Sequence, residues 1–544
     1  MKIALAQCNL HIGNFAANER KIADYIRRAK ASGADLVVFP EMSVCGYPPA
    51  DFLEFGSFVE QCYQTALRLT RECKGIGAIV GLPVENPAPE GKNLYNAAFL
   101  LYEGDIIGSA RKTLLPNYDI FDEYRYFEPN TSFSVIPFRG ERIALTICED
   151  LWDVGDDQMY TRWPMEELRL QKPTLMVNIA ASPFHHEQAV IRESVLRKNA
   201  ERYHLPLIYV NQVGAQTELI FDGGSLAMNP RGEVVLRLPA FEEGLAWIDT
   251  HTLPEMKPLP ETQPSKMEAC HKALVTGIRD YFSKTGIRDV ILGLSGGIDS
   301  AVVLALAAEA LGSDHVSALM LPSRYSSDHS ISDSLSLASH LGVSCEEISI
   351  EHCFSAFEQT LAGKFRGMPE DITEENLQAR CRAVILMACS NKFGPMLLNT
   401  SNKSEAAVGY GTLYGDMCGG LSVIGDLYKT EVYELARYIN RKETVIPENI
   451  LRKAPSAELR HGQKDEDSLP PYSVLDPILF QYIEMHKGPE EIIAMGFPRE
   501  TVLRVLKLVN SNEHKRRQAP PVLRVSSKAF GYGRRMPVTG KYLC

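Results

Sequence analysis

Residues 290–311 constrain this chain more than any other stretch. An apolar run, Val290-Ile291-Leu292-Gly293-Leu294, leads into Ser295-Gly296-Gly297-Ile298-Asp299-Ser300, and a helix-forming run, Ala301 to Leu311, follows. That order predicts strand, glycine turn, helix. Paired glycines let backbone approach a ligand closely, and the first turn of a helix offers unpaired N–H groups to anionic oxygens. The segment therefore reads as a phosphate cradle inside an α/β domain. It is not a Walker A loop, because the Lys-Ser/Thr ending of that motif is missing.

Bulk properties narrow the class. The 544 residues predict at least two domains, each able to bury its own core. Fifty-seven basic against 68 acidic residues leave a formal charge of -11, which argues against a general nucleic-acid binder. The 12 cysteines are irregularly spaced with no CxxC pair, so neither a disulfide framework nor a zinc cluster is expected. The opening MKIALAQCNL does not read as a signal peptide, and no stretch approaches the ~18 apolar residues of a membrane span. A soluble cytoplasmic protein with no membrane partner is expected.

Two halves are visible. Strands are expected at Ile3 to Ala6, Leu36 to Phe39, Ala78 to Leu82, Ala97 to Tyr102, Ile143 to Ile147, Thr174 to Ile179 and Leu207 to Val210, with helices such as Asn18 to Ser32 and Glu187 to Tyr203 between them. The proline-rich stretch 253–264 is the best linker. The second half is expected to hold helices at Met267 to Lys284, Ser330 to Leu341 and Glu374 to Lys392, and strands at Val316 to Leu321, Glu346 to Ile350 and Met396 to Asn399. The charged segment Lys464 to Ser468 reads as a loop. The domains are thus set at 1–252 and 265–544, both α/β.

Three strings in the first half each put one reactive group just past a strand: Phe39-Pro40-Glu41, Arg111-Lys112-Thr113 and Ile147-Cys148-Glu149. Glutamate as base, cysteine as nucleophile and lysine beside the oxyanion together can hydrolyse an amide. These strings resemble the nitrilase superfamily over residues 1–250. The resemblance implies an αββα sandwich with Glu41 as general base, Lys112 as electrostatic stabiliser and Cys148 as nucleophile, and it places the backbone N–H of Glu149 near the oxyanion. Tyr118 and Ser182 match positions that hold glutamine in the glutaminase members. Six residues after Ser182, where those members usually carry lysine, this chain has Gln188, which can hydrogen-bond a carboxylate but adds no charge.

The glycine loop, residues Gly293 to Ser300 (Gly293, Leu294, Ser295, Gly296, Gly297, Ile298, Asp299, Ser300), resembles the pyrophosphate loop of enzymes that split ATP between its α- and β-phosphates. The strings Asn376 to Arg380, Asn399 to Glu405, Tyr414-Gly415-Asp416, Gly425 to Thr430 and His514 to Pro521 together resemble glutamine-dependent NAD synthetases over residues 266–544. A nitrilase-type amidase in front fits that family and separates it from GMP and asparagine synthetases. The resemblance implies a Rossmann-like adenine-nucleotide domain with a parallel sheet. It implies ATP contacts at the loop and Thr400, contacts to deamido-NAD at Asn376, Glu405, Asp416 and Lys515, and a mobile loop at Arg324 to Ser326. A phosphoryl anhydride needs Mg²⁺, and Asp299 and Glu405 are the candidate carboxylates. The expected partners are L-glutamine, ATP and deamido-NAD, with no nucleic acid; an internal ammonia channel and a homo-oligomer are further implications. Two alternatives stand beside this reading: a pyrophosphate-loop amidotransferase acting on another carboxylate, and a synthetase using ammonia alone with an inactive nitrilase-like scaffold.

Overall fold

The computed structural model describes residues 1–154, 159–260 and 264–542. The chain divides into two units, Met1–Pro264 and Ser265–Cys544. The predicted linker includes residues 261–263, and the predicted second domain includes 543–544; these lie outside the described residues. Linker residues 253–260 are partly built into the first unit. Leu253 is fully buried in its core, and Leu259 donates its N–H to Val234 O at 2.8 Å.

The first unit holds strands β1 (Lys2–Gln7), β2 (Leu36–Val38), β3 (Gly77–Glu85), β4 (Leu94–Tyr102), β5 (Asp105–Arg111), β6 (Ile136–Phe138), β7 (Glu141–Ile147), β8 (Leu175–Ala180), β9 (Leu207–Asn211), β10 (Val213–Gln216), β11 (Leu219–Asp222), β12 (Leu226–Met228), β13 (Val234–Arg237) and β14 (Gly244–Asp249). They form two six-stranded sheets, β14-β1-β2-β3-β4-β5 and β13-β12-β9-β8-β7-β6, and the hairpin β10-β11. Alternation along β1 and β2 sorts their side chains. Ile3, Leu5, Leu36 and Val38 join Ile143, Leu145, Val177 and Ile208 in the core between the sheets. Ala4, Ala6, Val37 and Phe39 point the other way, onto Ile22, Ile26, Cys62 and Ala66 of helices α1 (Phe15–Ala31) and α2 (Gly56–Leu69). Helices α3 (Pro164–Leu168) and α4 (Gln188–Tyr203) cover the second sheet through Met165, Leu168, Leu196 and Ala200. The unit is an αββα sandwich. The central strands β2, β3, β7, β8 and β9 read as largely apolar rather than alternating because their buried stretches are covered on both faces.

In the second unit α5 (Lys266–Thr285) precedes β15 (Val290–Gly293), α6 (Ile298–Leu311), β16 (Val316–Met320), α7 (Asp328–Leu341), β17 (Ser344–Glu347), α8 (Glu351–Leu361), α9 (Ile372–Phe393), β18 (Met396–Asn399), α10 (Lys403–Val408), β19 (Leu421–Ser422), α11 (Lys429–Ile439), α12 (Glu448–Arg452) and α13 (Tyr472–Ile483). All five strands are parallel, in the order β17-β16-β15-β18-β19. The order reverses at β15, and in such sheets ligands bind beyond the strand ends at that point. The glycine loop leaves the end of β15 there. The strand expected at Glu346 to Ile350 is displaced to Ser344–Glu347. This is a polar edge strand, and the hydrophobic signal came from Ile348 and Ile350, which turn into the core beside Phe354. Among the described residues no helix is long and apolar enough to cross a membrane.

Candidate functional site

In the first unit three strand ends converge. Glu41 follows β2, Lys112 follows β5 directly, and Cys148 follows β7 in a left-handed conformation, φ 43°. Glu41 and Lys112 are essentially inaccessible, and their ion pair measures 2.8 Å. Glu41 Oε1 also accepts from Asn96 Nδ2 at 2.7 Å, and its Oε2 from Ala181 N at 3.0 Å. Lys112 Nζ reaches a second carboxylate, lying 2.8 Å from both oxygens of Glu123, which Tyr47 OH also bonds at 2.8 Å. Burial pushes the Glu123 carboxyl up to about 7, against the pull of Lys112. Burial, reinforced by Glu41, also lifts the Cys148 thiol well above its ordinary value, with Lys112 opposing. Burial thus favours the thiol over the thiolate at Cys148. Asp150 fixes its approach: Oδ1 accepts from Thr113 N and Leu114 N at 2.9 Å each, and Oδ2 from Ile147 N at 3.0 Å. This ties the backbone after Lys112 to the turn bearing Cys148.

Beside the thiol, Glu149 accepts from Tyr118 OH at 2.9 Å and Tyr160 OH at 3.1 Å, and burial raises its carboxyl. Gln188 opens α4 and donates to Ser182 Oγ at 3.2 Å. Arg192, one turn further along α4, is locked to Asp222 by two bonds of 2.9 and 2.6 Å and is buried.

In the second unit a cleft of about 280 Å³ opens over the ends of β15, β16 and β18. Residues Gly293 to Ser300 line it, together with Thr400, Glu405 and Asp416. Gly296 has φ 73°, and a Cβ there would stand 2.5 Å from Ser330 O, so both conformation and space demand glycine. Gly297 caps α6, and Ser300 Oγ bonds back to Gly297 O at 3.1 Å. Asp299 accepts from Asn402 Nδ2 at 2.9 Å and from Lys429 Nζ at 2.5 Å; Lys429 Nζ also lies 3.1 Å from Glu405 Oε1. Asp465 lines the same cleft and is held by Tyr410 and Tyr472 hydroxyls at 3.2 and 2.9 Å. Burial pushes the Glu405 carboxyl up to about 8, with Lys429 lowering and Asp299 raising it.

Two family models match the chain, carbon-nitrogen hydrolase over residues 2–253 and NAD synthase over 270–519. The glutamine-dependent NAD(+) synthetase of Synechocystis sp. is 46% identical over 98% of this chain and 98% of its own length, and that of Thermotoga maritima is 40% identical over 100% and 99%. The chain belongs to the glutamine-dependent NAD(+) synthetases. The solved structure of the glutamine-dependent NAD+ synthetase of Acinetobacter baumannii in complex with ADP agrees with it at a TM-score of 0.78 and 40% identity, over 99% of this chain and 98% of that one. Members of the family are ligases with glutamine as amido donor, and they use ATP as a substrate.

Against that family frame, the residues singled out in the sequence fall into groups. Glu41 and Lys112 are in contact, with Cys148 in their field. Tyr118 meets Glu149, and Ser182 meets Gln188. Thr400, Glu405 and Asp416 share the cleft of the glycine loop, whereas Asn376 and Lys515 are not among its lining residues. Those two brace the 409–416 loop: Asn376 accepts from Thr412 Oγ1 at 2.7 Å, and Lys515 donates to Gly409 O and Gly411 O at 2.7 and 2.8 Å. Arg324 is held on α8 by Glu351 and Glu358, while Ser326 lines the cleft. Sequence reasoning passed over Glu123, the Glu149 side chain, Lys429 and Asp465. Lys429 lies in the string 425–430 and Asp465 in the charged segment 464–468. Burial, which turns such residues from surface charges into site residues, is invisible in a string.

Among the described residues no group of three or more His, Cys, Asp or Glu is arranged to hold a metal ion alone. The donor chemistry nevertheless suits magnesium. Asp299 and Glu405 share one ammonium, Lys429 Nζ, at 2.5 and 3.1 Å, and Mg²⁺ takes one or two carboxylates plus substrate phosphates.

Proposed function

We propose that residues 1–252 hydrolyse glutamine and residues 265–544 use the ammonia to amidate deamido-NAD with ATP, giving NAD. One observation carries this most directly: the buried Glu41–Lys112 pair at 2.8 Å, with Cys148 beside it at the end of a third strand. Glu41 takes the thiol proton as Sγ attacks the amide carbonyl. Lys112 and the Glu149 backbone N–H face the charge that develops on oxygen. Glu41 then returns the proton to the departing nitrogen, leaving a thioester, and draws a proton from the water that hydrolyses it. Glu123, with Tyr47, holds Lys112 in place. Glu149 supplies negative charge for the substrate ammonium, with Tyr118, Ser182 and Gln188 completing the glutamine pocket.

In the second unit the glycine loop and the α6 N-terminus receive the triphosphate, with Thr400 beside them. The nicotinate carboxylate displaces pyrophosphate from the α-phosphorus, and ammonia then displaces AMP from the acyl-adenylate. Adenylation converts a poor electrophile into one with a good leaving group. Lys429, fixed between Asp299 and Glu405, balances charge on the phosphates. Asp299 and Glu405 would hold Mg²⁺, whose charge would further stabilise the leaving pyrophosphate. Asp416 faces the dinucleotide, and Asn376 and Lys515 shape the loop beside it. A cytoplasmic setting belongs to the same reading. A homo-oligomer completes this reading, to be checked by sedimentation.

The test is product formation with ATP, deamido-NAD and either glutamine or ammonium. NAD, AMP and pyrophosphate from both donors is the expected result. ADP as product, or no amidation of deamido-NAD, refutes the reading.

A further inference from the structure

The NAD synthase match ends at residue 519, yet the chain beyond it is built into the second unit. Ser422 of β19 donates its N–H to Pro521 O at 2.8 Å and accepts from Leu523 N at 3.2 Å, so residues 521–523 extend the sheet as a parallel edge. Val525 N, Ser526 N and Ser526 Oγ then donate to Asp426 at 2.8, 2.7 and 2.8 Å, and Ser527 Oγ donates to Glu484 at 2.6 Å. Two carboxylates hold this segment, and one cation serves both. Lys403 Nζ lies 2.9 Å from Asp426 Oδ1, 2.9 Å from Glu484 Oε1 and 2.7 Å from Ser526 Oγ, with the side chain wholly buried. Burial opposes its charge, but Asp426 and Glu484 more than offset this and keep the ammonium protonated.

Lys403 is the first residue of α10 and stands among residues that build the cleft. Asn402 bonds Asp299 and caps Glu405 N at 3.0 Å. Ser404 bonds Asp476 at 2.6 Å and accepts from Lys429 N at 2.8 Å. Helix α10 has six residues, too few to hold its first turn by helix cooperativity. Its anchor is this buried network, and a buried network missing one charge is strongly disfavoured.

We propose that Lys403 is a positioning residue for the ATP-dependent step, through which residues 521–527 fix Asn402 and Glu405 opposite Asp299. The proposal rests on the reading that Asp299 and Glu405 serve the nucleotide. Its test uses the full chain with ammonium as nitrogen donor. Ser526→Ala removes one hydroxyl and no charge. Its KM for ATP should rise about tenfold, the worth of one charge-assisted hydrogen bond, with a smaller change in kcat. Lys403→Met should lose more, and Lys403→Met/Glu484→Gln, which removes a carboxylate with the cation, should recover part of the loss. A merely structural role would lower the melting temperature and leave the KM for ATP of the folded enzyme unchanged. Native KM and kcat in Ser526→Ala overturn the proposal, as does a double variant no better than a folded single one. Should Lys403→Met fail to fold, Ser526→Ala decides alone. Asp299→Asn, run in parallel, separates the two levels: near-normal synthesis there overturns the underlying reading, whereas a large loss there with native Ser526→Ala overturns only the role of Lys403.

Discussion

At the scale of single residues, the first unit's site is a contest for one ammonium. Lys112 is shared by Glu41 and Glu123, both buried, so either carboxylate alone would leave its position less defined. Glu123→Gln should therefore cut glutamine hydrolysis on the order of a hundredfold, the scale of one electrostatic group in such a site, and leave ammonium-supported synthesis intact. A glutaminase assay with unchanged kcat/KM would remove Glu123 from the machinery. Gln188 carries the opposite lesson. Its amide sits 3.2 Å from Ser182 Oγ, and Arg192, the cation one turn away, is spent on Asp222. Gln188→Lys should lower the KM for glutamine, because a charged donor to a carboxylate is roughly twice as strong as a neutral one. An unchanged or higher KM would mean that Gln188 does not face the substrate. Glu41, Lys112 and Cys148 could be placed just past strand ends because each follows a strand signal in a short, distinctive string. Glu123 could not be placed, since its string, Phe121-Asp122-Glu123-Tyr124, carries no strand or helix signal.

At the scale of elements, the β15–loop–α6 unit was readable because strand, turn and helix are contiguous and each has its own signal. What surrounds it comes from elsewhere in the chain: Ser330 of α7 pressing on Gly296, and Lys429 of α11 reaching Asp299. Such long-range partners leave no periodicity. Gly296→Ala combines a left-handed backbone with a 2.5 Å approach to Ser330 O. It should abolish most ATP-dependent synthesis while glutamine hydrolysis, measured as glutamate release, survives; a variant that synthesises normally would show that the loop does not hold phosphate. Burial, with Asp299 adding to it and Lys429 opposing, pushes the Glu405 carboxyl up to about 8, so it holds a proton more tightly than an ordinary carboxylate. A cation binding there must displace that proton, so the half-saturating Mg²⁺ concentration for ammonium-supported synthesis should fall as pH rises from 7 to 8.5. Glu405→Gln should flatten that dependence, and equal Mg²⁺ requirements at both pH values in the native chain would exclude Glu405 as a metal carboxylate.

At the scale of the whole molecule, the chain joins two chemistries with opposite needs. In the proposed function amide hydrolysis uses a thiol and a buried base, which strand ends in a sandwich can bring together. Carboxylate activation needs a phosphate cradle, which the switch point of a parallel sheet provides. The two-domain plan was visible in the sequence because each half has its own strand–helix alternation and its own chemical strings. The edge strand after β19 was not, because Val522 to Ser527 have no alternation and gain their place by pairing with Ser422 and by bonds to Asp426 and Glu484. The proposed function is a division of labour, with nitrogen release and carboxylate activation in separate units. Cys148→Ala tests it most directly, with NAD formation from ATP and deamido-NAD measured side by side on glutamine and on ammonium. Glutamine-supported synthesis should vanish while the ammonium-supported rate stays near that of the native chain; equal loss of both in a folded variant, or survival of both, would contradict the account.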